Sequence, residues 1–243
     1  MIPQEPARRF ARPIGFIKAR FSPEGFLGLH LTVGLIVVLL AGWWFGEIVE
    51  DVSRNEATRL LDERVIAWFQ DWASPGLTYV AWIITALGSV LFITAGSMVT
   101  TFVLIRRGYI YRCLAVVVTM GGGSLLNILL KHFFHRQRPV LENPLVTLSS
   151  YGFPSGHTMG ATIFYGLLAL LMAHSTRWAW RHRIVAFAGA ALVIALVGVS
   201  RIYLGAHYLT DVLGAIALGL AWLAFCWTGI ETVRRWRGRP MIP

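Results

Sequence analysis

The sequence predicts an all-α integral membrane bundle of six transmembrane helices. Three observations lead there. The 243 residues are 56% hydrophobic and only 14% charged, with a mean hydropathy of +0.62, whereas soluble domains carry about 25% charged residues. Six apolar runs approach the ~20 residues that a bilayer-spanning helix needs. The basic residues gather in short patches between those runs, as topology signals do. These features exclude a disordered chain, an ordinary soluble globule and a nucleic-acid-binding tail protein. The 10 Trp and 14 Phe suit a bilayer, where aromatic rings gather at the interfaces.

The elements follow in order. A basic segment, residues 1–25, precedes the first span, expected at Phe26–Phe45. That run is too long for the apolar core of a signal peptide and lacks a small-residue cleavage site, so it reads as a retained anchor. Further on, Leu60, Leu61, Val65, Ile66, Phe69 and Trp72 mark one helical face, with Asp62, Glu63, Arg64 and Asp71 elsewhere around it. Ala57–Trp72 thus reads as a short interfacial helix on the outer leaflet; a solvated connector is the alternative. The run Leu77–Ile105 exceeds one span, and Gly88-Ser89 offers a break. The second span is placed at about Gly88–Ile105, with the preceding stretch in or near the interface; a count of five or seven spans would turn on this run. Further spans are expected at Cys113–Leu130, His157–His174, Ile184–Ile202 and Tyr208–Thr228, before a basic tail, 229–243. No second domain, internal repeat or low-complexity segment stands out, so 1–243 reads as one domain.

Charge sets the expected orientation. Arg8, Arg9, Arg12, Lys18 and Arg20, then Arg106, Arg107 and Arg112, then Arg177, Arg181 and Arg183, then Arg234, Arg235, Arg237 and Arg239 would share one side. They are 15 of the 22 Lys and Arg residues, and Arg54, Arg59, Arg64, Lys131, Arg136, Arg138 and Arg201 are left for the other. The positive-inside rule then places both termini in the cytoplasm. The two cysteines, Cys113 and Cys226, are far apart and form no metal-ligand spacing.

Three motifs fall at the expected outer ends of spans. Lys131 and Arg138-Pro139 make K-x6-R-P; Pro154-Ser155-Gly156-His157 opens the fourth span; Ser200-Arg201, His207 and Asp211 join the fifth and sixth. Charges at membrane depth are costly and usually functional. Lys131, Arg138 and Arg201 supply three cations that could converge on one anion, such as a phosphoryl group in transfer. Taken singly, Lys131 and Arg138 could be snorkelling interface residues. His207 and Asp211, four apart, share a helical face, and a carboxylate on one imidazole nitrogen leaves the other free to attack. Free N–H groups at the start of the fourth span suit a phosphate, with Ser155 and Gly156 adding hydrogen bonds. Other features have plainer readings. Gly121-Gly122-Gly123-Ser124 reads as close helix packing, since it lacks the lysine of a phosphate loop. His132 and His135 read as pocket rim, and His30 as a packing residue. His157, His207 and Asp211 could ligate a metal by type, but the spacing is no known metal motif and the nearby cations oppose one.

In residue type, spacing and order, the three motifs resemble the type 2 phosphatidic acid phosphatase superfamily, membrane lipid phosphatases related to vanadium haloperoxidases. The likeness covers Lys131 to Asp211, about a third of the chain. It implies a hydrolase acting on a lipid phosphate or pyrophosphate through a phosphohistidine; with the three cations opposing a metal, no metal or cofactor is expected. It makes His207 the nucleophile, Asp211 its orienter, and His157 the general acid. Lys131, Arg138, Ser155, Gly156 and Arg201 would hold the phosphate. The expected partners are the bilayer and a lipid phosphate, not nucleic acid, and the expected location is the cell (inner) membrane with the site facing the periplasm or exterior. Short outer segments favour isoprenyl pyrophosphate, such as undecaprenyl pyrophosphate, or phosphatidylglycerophosphate over phosphatidic acid or a lipid A phosphate. Rival readings are a lipid transporter or flippase, a vanadate-dependent haloperoxidase and an idle family member.

Overall fold

Hydropathy summed over many turns sets the architecture: six segments are long and apolar enough to cross a membrane. The computed structural model describes residues 28–141, 144–146, 148–174 and 179–238. The basic residues expected at 8–20, Arg177, Arg239 and the start of the first span at Phe26 lie outside them. Among the described residues the regular elements are all helices: α1 Leu29–Arg54, α2 Glu56–Asp71, α3 Pro75–Ala86, α4 Val90–Arg106, α5 Ile110–Phe134, α6 Gly156–Ala173, α7 Trp180–Tyr203 and α8 Leu209–Trp236. The most enclosed are α6 and α8, each half-buried over its apolar window. They pack on each other, α7 packs on α6, and α1 lies along α8.

The expected spans recur with longer ends. A helix of 26 residues, such as α1, reaches about 39 Å at 1.5 Å per residue, beyond a hydrocarbon core of about 30 Å. The extra turns are carried by polar pairs of their own. Arg54 pairs with Glu50 at 3.6 Å at the end of α1. Arg234 and Arg235 pair with Glu231 at 2.5 and 2.7 Å in α8, so residues expected in a tail are helical to Trp236.

The second span requires a correction. The break falls at Leu87–Ser89 as expected, but the stretch before it is the first limb of the same span, which runs Pro75–Arg106 over 32 residues. Ser74 caps α3 by accepting from the N–H of Leu77 at 3.4 Å, and Pro75 opens the helix. The limb packs on α7, anchored by the Tyr203 hydroxyl 2.9 Å from Thr78 Oγ1. At Gly88 a side chain would meet Val197 Cγ1 at 2.6 Å and the His157 carbonyl at 3.1 Å, so the break needs a glycine where the chain passes α6 and α7.

Helix α2 is capped by Asn55, whose Oδ1 accepts from the N–H of Ala57 at 3.0 Å. Val65, Ile66 and Phe69 pack inward, while Leu60, Leu61 and Trp72 are exposed; the one residue misplaced is Asp62, expected elsewhere around the helix but buried one turn before Ile66. Of the glycine run in α5, Gly122 and Gly123 pack against Trp222 and Ile163 as expected, whereas a side chain at Gly121 would meet nothing within 4 Å.

Candidate active site

The site lies where α3, α5, α6, α7 and α8 meet, and each motif is delivered by a helix terminus. Helix α5 ends at His135, which adopts the left-handed conformation (φ 49°) and turns the chain toward Arg136 and Arg138. Helix α7 stops at Gly205, with φ at 67°. There the N–H groups of Ala206 and His207 both fold back onto the Arg201 carbonyl, at 3.0 and 3.3 Å. This glycine-closed end brings His207 beside Arg201. Asp211 lies in the first turn of α8, where its carboxylate accepts from the Tyr208 N–H at 3.0 Å.

Three cations, Lys131, Arg138 and Arg201, lie within electrostatic reach of His157, and their hydrogen bonds among the described residues go to neutral acceptors. Lys131 Nζ donates to the Tyr151 carbonyl at 2.5 Å. Arg138 donates to the carbonyls of Ser150 and Ala206, each at 2.6 Å, and to the Ser150 hydroxyl at 3.0 Å. Arg201 donates to Thr85 Oγ1 at 2.9 Å, and its Nε is buried without a partner. Burial works against the charge of Arg138 and holds its guanidinium below the ordinary value, although Asp211 pulls the other way.

His207 is buried among them. Its Nδ1 lies 3.4 Å from Asp211 Oδ2. A carboxylate there accepts the Nδ1 proton, which leaves a lone pair on Nε2. That lone pair accepts from Arg138 at 3.1 Å. Burial pushes the imidazole down to about 4, against the pull of Asp211 and with Arg138 and Arg201, so His207 is neutral near pH 7. His157 stands half-buried in the first turn of α6, within electrostatic reach of Arg201, His207, Arg138 and Lys131.

Gly156 and His157 carry the first N–H groups of α6, which no helical carbonyl can accept from. Ser155 is fully buried; its hydroxyl lies 3.0 Å from Thr158 Oγ1 and caps the helix. The serine hydroxyl is thus engaged within its own helix turn, beside the N–H groups of Gly156 and His157. Among the described residues no group of three His, Cys, Asp or Glu side chains could hold a metal ion.

The profile of the PAP2 superfamily matches residues 112–235, just over half of the chain. The chain belongs to the PAP2 superfamily. Among curated relatives, it is 39% identical over 125 residues to phosphatidylglycerophosphatase B of Bacillus subtilis, covering 51% of this chain and 61% of that protein. It is 30% identical over 191 residues to a dihydrosphingosine 1-phosphate phosphatase of Schizosaccharomyces pombe, covering 74% of this chain and 44% of that one. The chain therefore spans less than two thirds of the length of either curated relative. Its fold matches the crystal structure of a transmembrane PAP2 type phosphatidylglycerolphosphate phosphatase from Bacillus subtilis, with a TM-score of 0.73 at 29% identity, over 84% of this chain and 98% of that one. The structure of LpxE from Aquifex aeolicus shares the fold at a TM-score of 0.54 and 24% identity, over 69% and 94%.

All eight residues singled out in the sequence, Lys131, Arg138, Ser155, Gly156, His157, Arg201, His207 and Asp211, gather at this one end of the PAP2 bundle. His132 and His135 stay at the exposed rim, 6.0 and 4.5 Å from the Tyr151 ring. Three further participants escaped the sequence reading. Thr85 holds Arg201. Arg136 donates to Asp211 Oδ1 at 2.5 Å, and Asp62 accepts from Arg136 at 2.8 Å. The signal for Arg136 was its place within the first motif, two residues before Arg138. For Asp62 it was a carboxylate four residues before the buried Ile66.

Proposed function

We propose that the protein removes the terminal phosphate of a membrane lipid, at the outer leaflet, through a phosphohistidine on His207. The observation that carries this reading is the set of three cations, Lys131, Arg138 and Arg201, gathered beside a neutral histidine, with no carboxylate among the described residues paired to any of them. Such a cluster suits an incoming dianion.

In the first step the His207 Nε2 lone pair displaces the Arg138 N–H and attacks phosphorus. An N–P bond forms and the P–O bond to the lipid breaks, with a proton passing from His157 to the leaving oxygen. Asp211 takes up the charge that develops on the imidazole through Nδ1. The cations and the N–H groups of Gly156 and His157 stabilise the equatorial oxygens. Water then attacks phosphorus with His157 as base, the N–P bond breaks, and free phosphate leaves.

A lipid rather than a soluble ester is supported by an apolar groove of about 550 Å³ between α4, α5 and α6. It runs from Gly88 and Gly156 beside the site to Phe102 and Ile105 at the far end of α4, and would take a hydrocarbon chain. The names of the curated relatives favour a phosphomonoester, with phosphatidylglycerophosphate ahead of undecaprenyl pyrophosphate. Outer-leaflet action is supported by the described basic residues Arg106, Arg107, Arg112, Arg181, Arg183, Arg234 and Arg235, which sit at the helix ends opposite the site.

The test is phosphate release by the purified protein from phosphatidylglycerophosphate, phosphatidic acid, a sphingoid base phosphate and undecaprenyl pyrophosphate in detergent. Turnover of at least one, lost on His207→Ala by a factor of about 10³ or more, is the expected result. Substantial turnover by His207→Ala would overturn the mechanism, and release from none of the lipids would overturn the function.

A further inference from the structure

We infer that Asp62 of the interfacial helix α2 and Arg136 are positioning residues for the nucleophile, joined in a chain Asp62–Arg136–Asp211–His207. This rests on the phosphatase reading above, and adds to it a catalytic duty for a helix that the motifs do not include.

The geometry has two forks. Arg136 spreads its guanidinium between two fully buried carboxylates, with Nη1 on Asp211 Oδ1 at 2.5 Å and Nη2 on Asp62 Oδ2 at 2.8 Å. Asp62 in turn accepts from the Thr210 N–H at 3.0 Å and the Thr210 hydroxyl at 2.5 Å. Arg136 also donates to Thr210 Oγ1 at 2.7 Å and lies 4.7 Å over the Tyr208 ring. Asp62 thereby grips the first turn of α8 by backbone and side chain, immediately before Asp211. Arg136 fixes the Asp211 oxygen that does not face His207. The other oxygen is left to meet His207 Nδ1, and its direction sets the imidazole plane and the aim of Nε2.

Burial alone does not account for this arrangement. A fully buried carboxylate is costly unless paired and hydrogen-bonded, and α2 would pack on Ile202 and Val212 through Ile66 without one. The acid at position 62 and the arginine at 136 each answer a charge on the other and, through it, the charge on Asp211. Partners that orient a metal-ligating histidine change affinity or activity by about 10–100-fold when removed, and the same scale is taken for a nucleophilic one.

The electrostatic consequence has opposite signs for the two residues. Around His207 stand Asp211 on α8, Arg138 in the loop after α5, Arg201 on α7, His157 on α6 and, beside them, Lys131 on α5. Removing the positive charge at 136 strengthens the pull of Asp211 on a protonated His207. Removing the negative charge at 62 leaves Arg136 to answer Asp211 alone and weakens that pull. Attack requires neutral His207, so the acid limb of the rate profile must move to higher pH in Arg136→Gln and to lower pH in Asp62→Asn.

The experiment measures kcat, KM and the pH profile of kcat/KM for the wild type, Asp62→Asn, Arg136→Gln, Arg136→Lys and the double variant Asp62→Asn/Arg136→Gln, with melting temperature recorded for each. The expected result is a fall in kcat of about tenfold for Asp62→Asn and about a hundredfold for Arg136→Gln, KM within about twofold, and acid limbs displaced in opposite directions. Arg136→Lys should recover only part, because an ammonium cannot fork between two carboxylates. The double variant should lose less than the product of the single losses, since both act on one chain. If Arg136→Gln does not fold, the downward limb and lower kcat of Asp62→Asn carry the test. Unchanged profiles, or displacement of both limbs in one direction, would overturn the inference while leaving the phosphatase intact. A wild type that releases no phosphate would instead overturn the reading on which it rests.

Discussion

Both ends of the bundle hold clusters of buried or half-buried cations, but the two are neutralised differently. At the end opposite the site, Glu231 is only 4% exposed and answers Arg234 and Arg235 at 2.5 and 2.7 Å. At the site, Lys131, Arg138 and Arg201 donate to carbonyls, hydroxyls and the His207 ring, and among the described residues the nearby Asp211 is committed to Arg136 and His207. Carbonyls and hydroxyls hold a guanidinium in place without cancelling its charge. A buried cation left in that condition is expensive, and an anionic ligand offsets the cost. The difference separates a structural cluster from a binding one: what matters is whether carboxylates answer the arginines. Arg136 makes the same point two residues from Arg138. Burial works against its charge, yet Asp211 and Asp62 hold its guanidinium above the ordinary value, and it faces acids rather than the pocket.

The comparison can be broken most severely at the site. Removing one preorganised donor to a transition-state oxyanion costs about 10²–10³-fold in rate, so Arg201→Met should lose that much kcat/KM. Arg138→Lys should fall nearly as far, because the planar fork that meets the carbonyls of Ser150, Tyr151 and Ala206 and the His207 ring cannot be copied by an ammonium. Steady-state kinetics on the preferred lipid check both; a loss under about fivefold in either would place that cation outside the phosphate pocket.

The pH profile offers a smaller effect with a definite sign. Burial holds His207 near 4, whereas a free histidine titrates at about 6.5. The nucleophile is then the neutral form throughout that interval, and kcat/KM should hold level from neutrality and fall only as pH drops toward 4. Stability follows the same linkage. Below about 6.5 an unfolded chain binds the proton that the buried imidazole refuses, so melting temperature should decline over that window. An acid limb in kcat/KM near 6.5 would show His207 to be solvated as it acts.

At the opposite end the expectation is a stability change with no kinetic one. Glu231→Gln removes the acid that answers Arg234 and Arg235, costing ~1–3 kcal/mol, seen as a lower melting temperature in detergent. Turnover at permissive temperature should match the wild type. A tenfold loss of kcat would show that the two clusters are coupled, and the contrast between them would fail.

The sequence carried the helices because each span sums hydropathy over eighteen or more residues, and single polar residues cannot overturn such a sum. It carried the site because the defining residues come at fixed offsets from helix ends: Asp211 four after His207, His157 two after Ser155. What escaped it depends on contacts without a period. Asp62 and Arg136 are 74 residues apart in sequence, and nothing local in either announces the other. On α2 the miss is Asp62, which is fully buried. The inward stripe, Asp62, Ile66 and Phe69, contains an acid that a hydrophobic pattern assigns to solvent. Helix ends ran long for a related reason: Glu50–Arg54 and Glu231–Arg235 prolong helices past the apolar run through i,i+4 pairs, which hydropathy counts as breaks.

The account stands most directly on one covalent bond, between phosphorus and His207 Nε2. Lipid carrying isotopically labelled phosphate should be mixed with the purified protein, quenched in alkali within milliseconds, digested and mapped. Label that is stable to alkali, lost in acid and confined to the peptide bearing His207 is the predicted result, with none retained in His207→Ala. Label on any other residue, or undiminished turnover in a protein that never carries label, would contradict it.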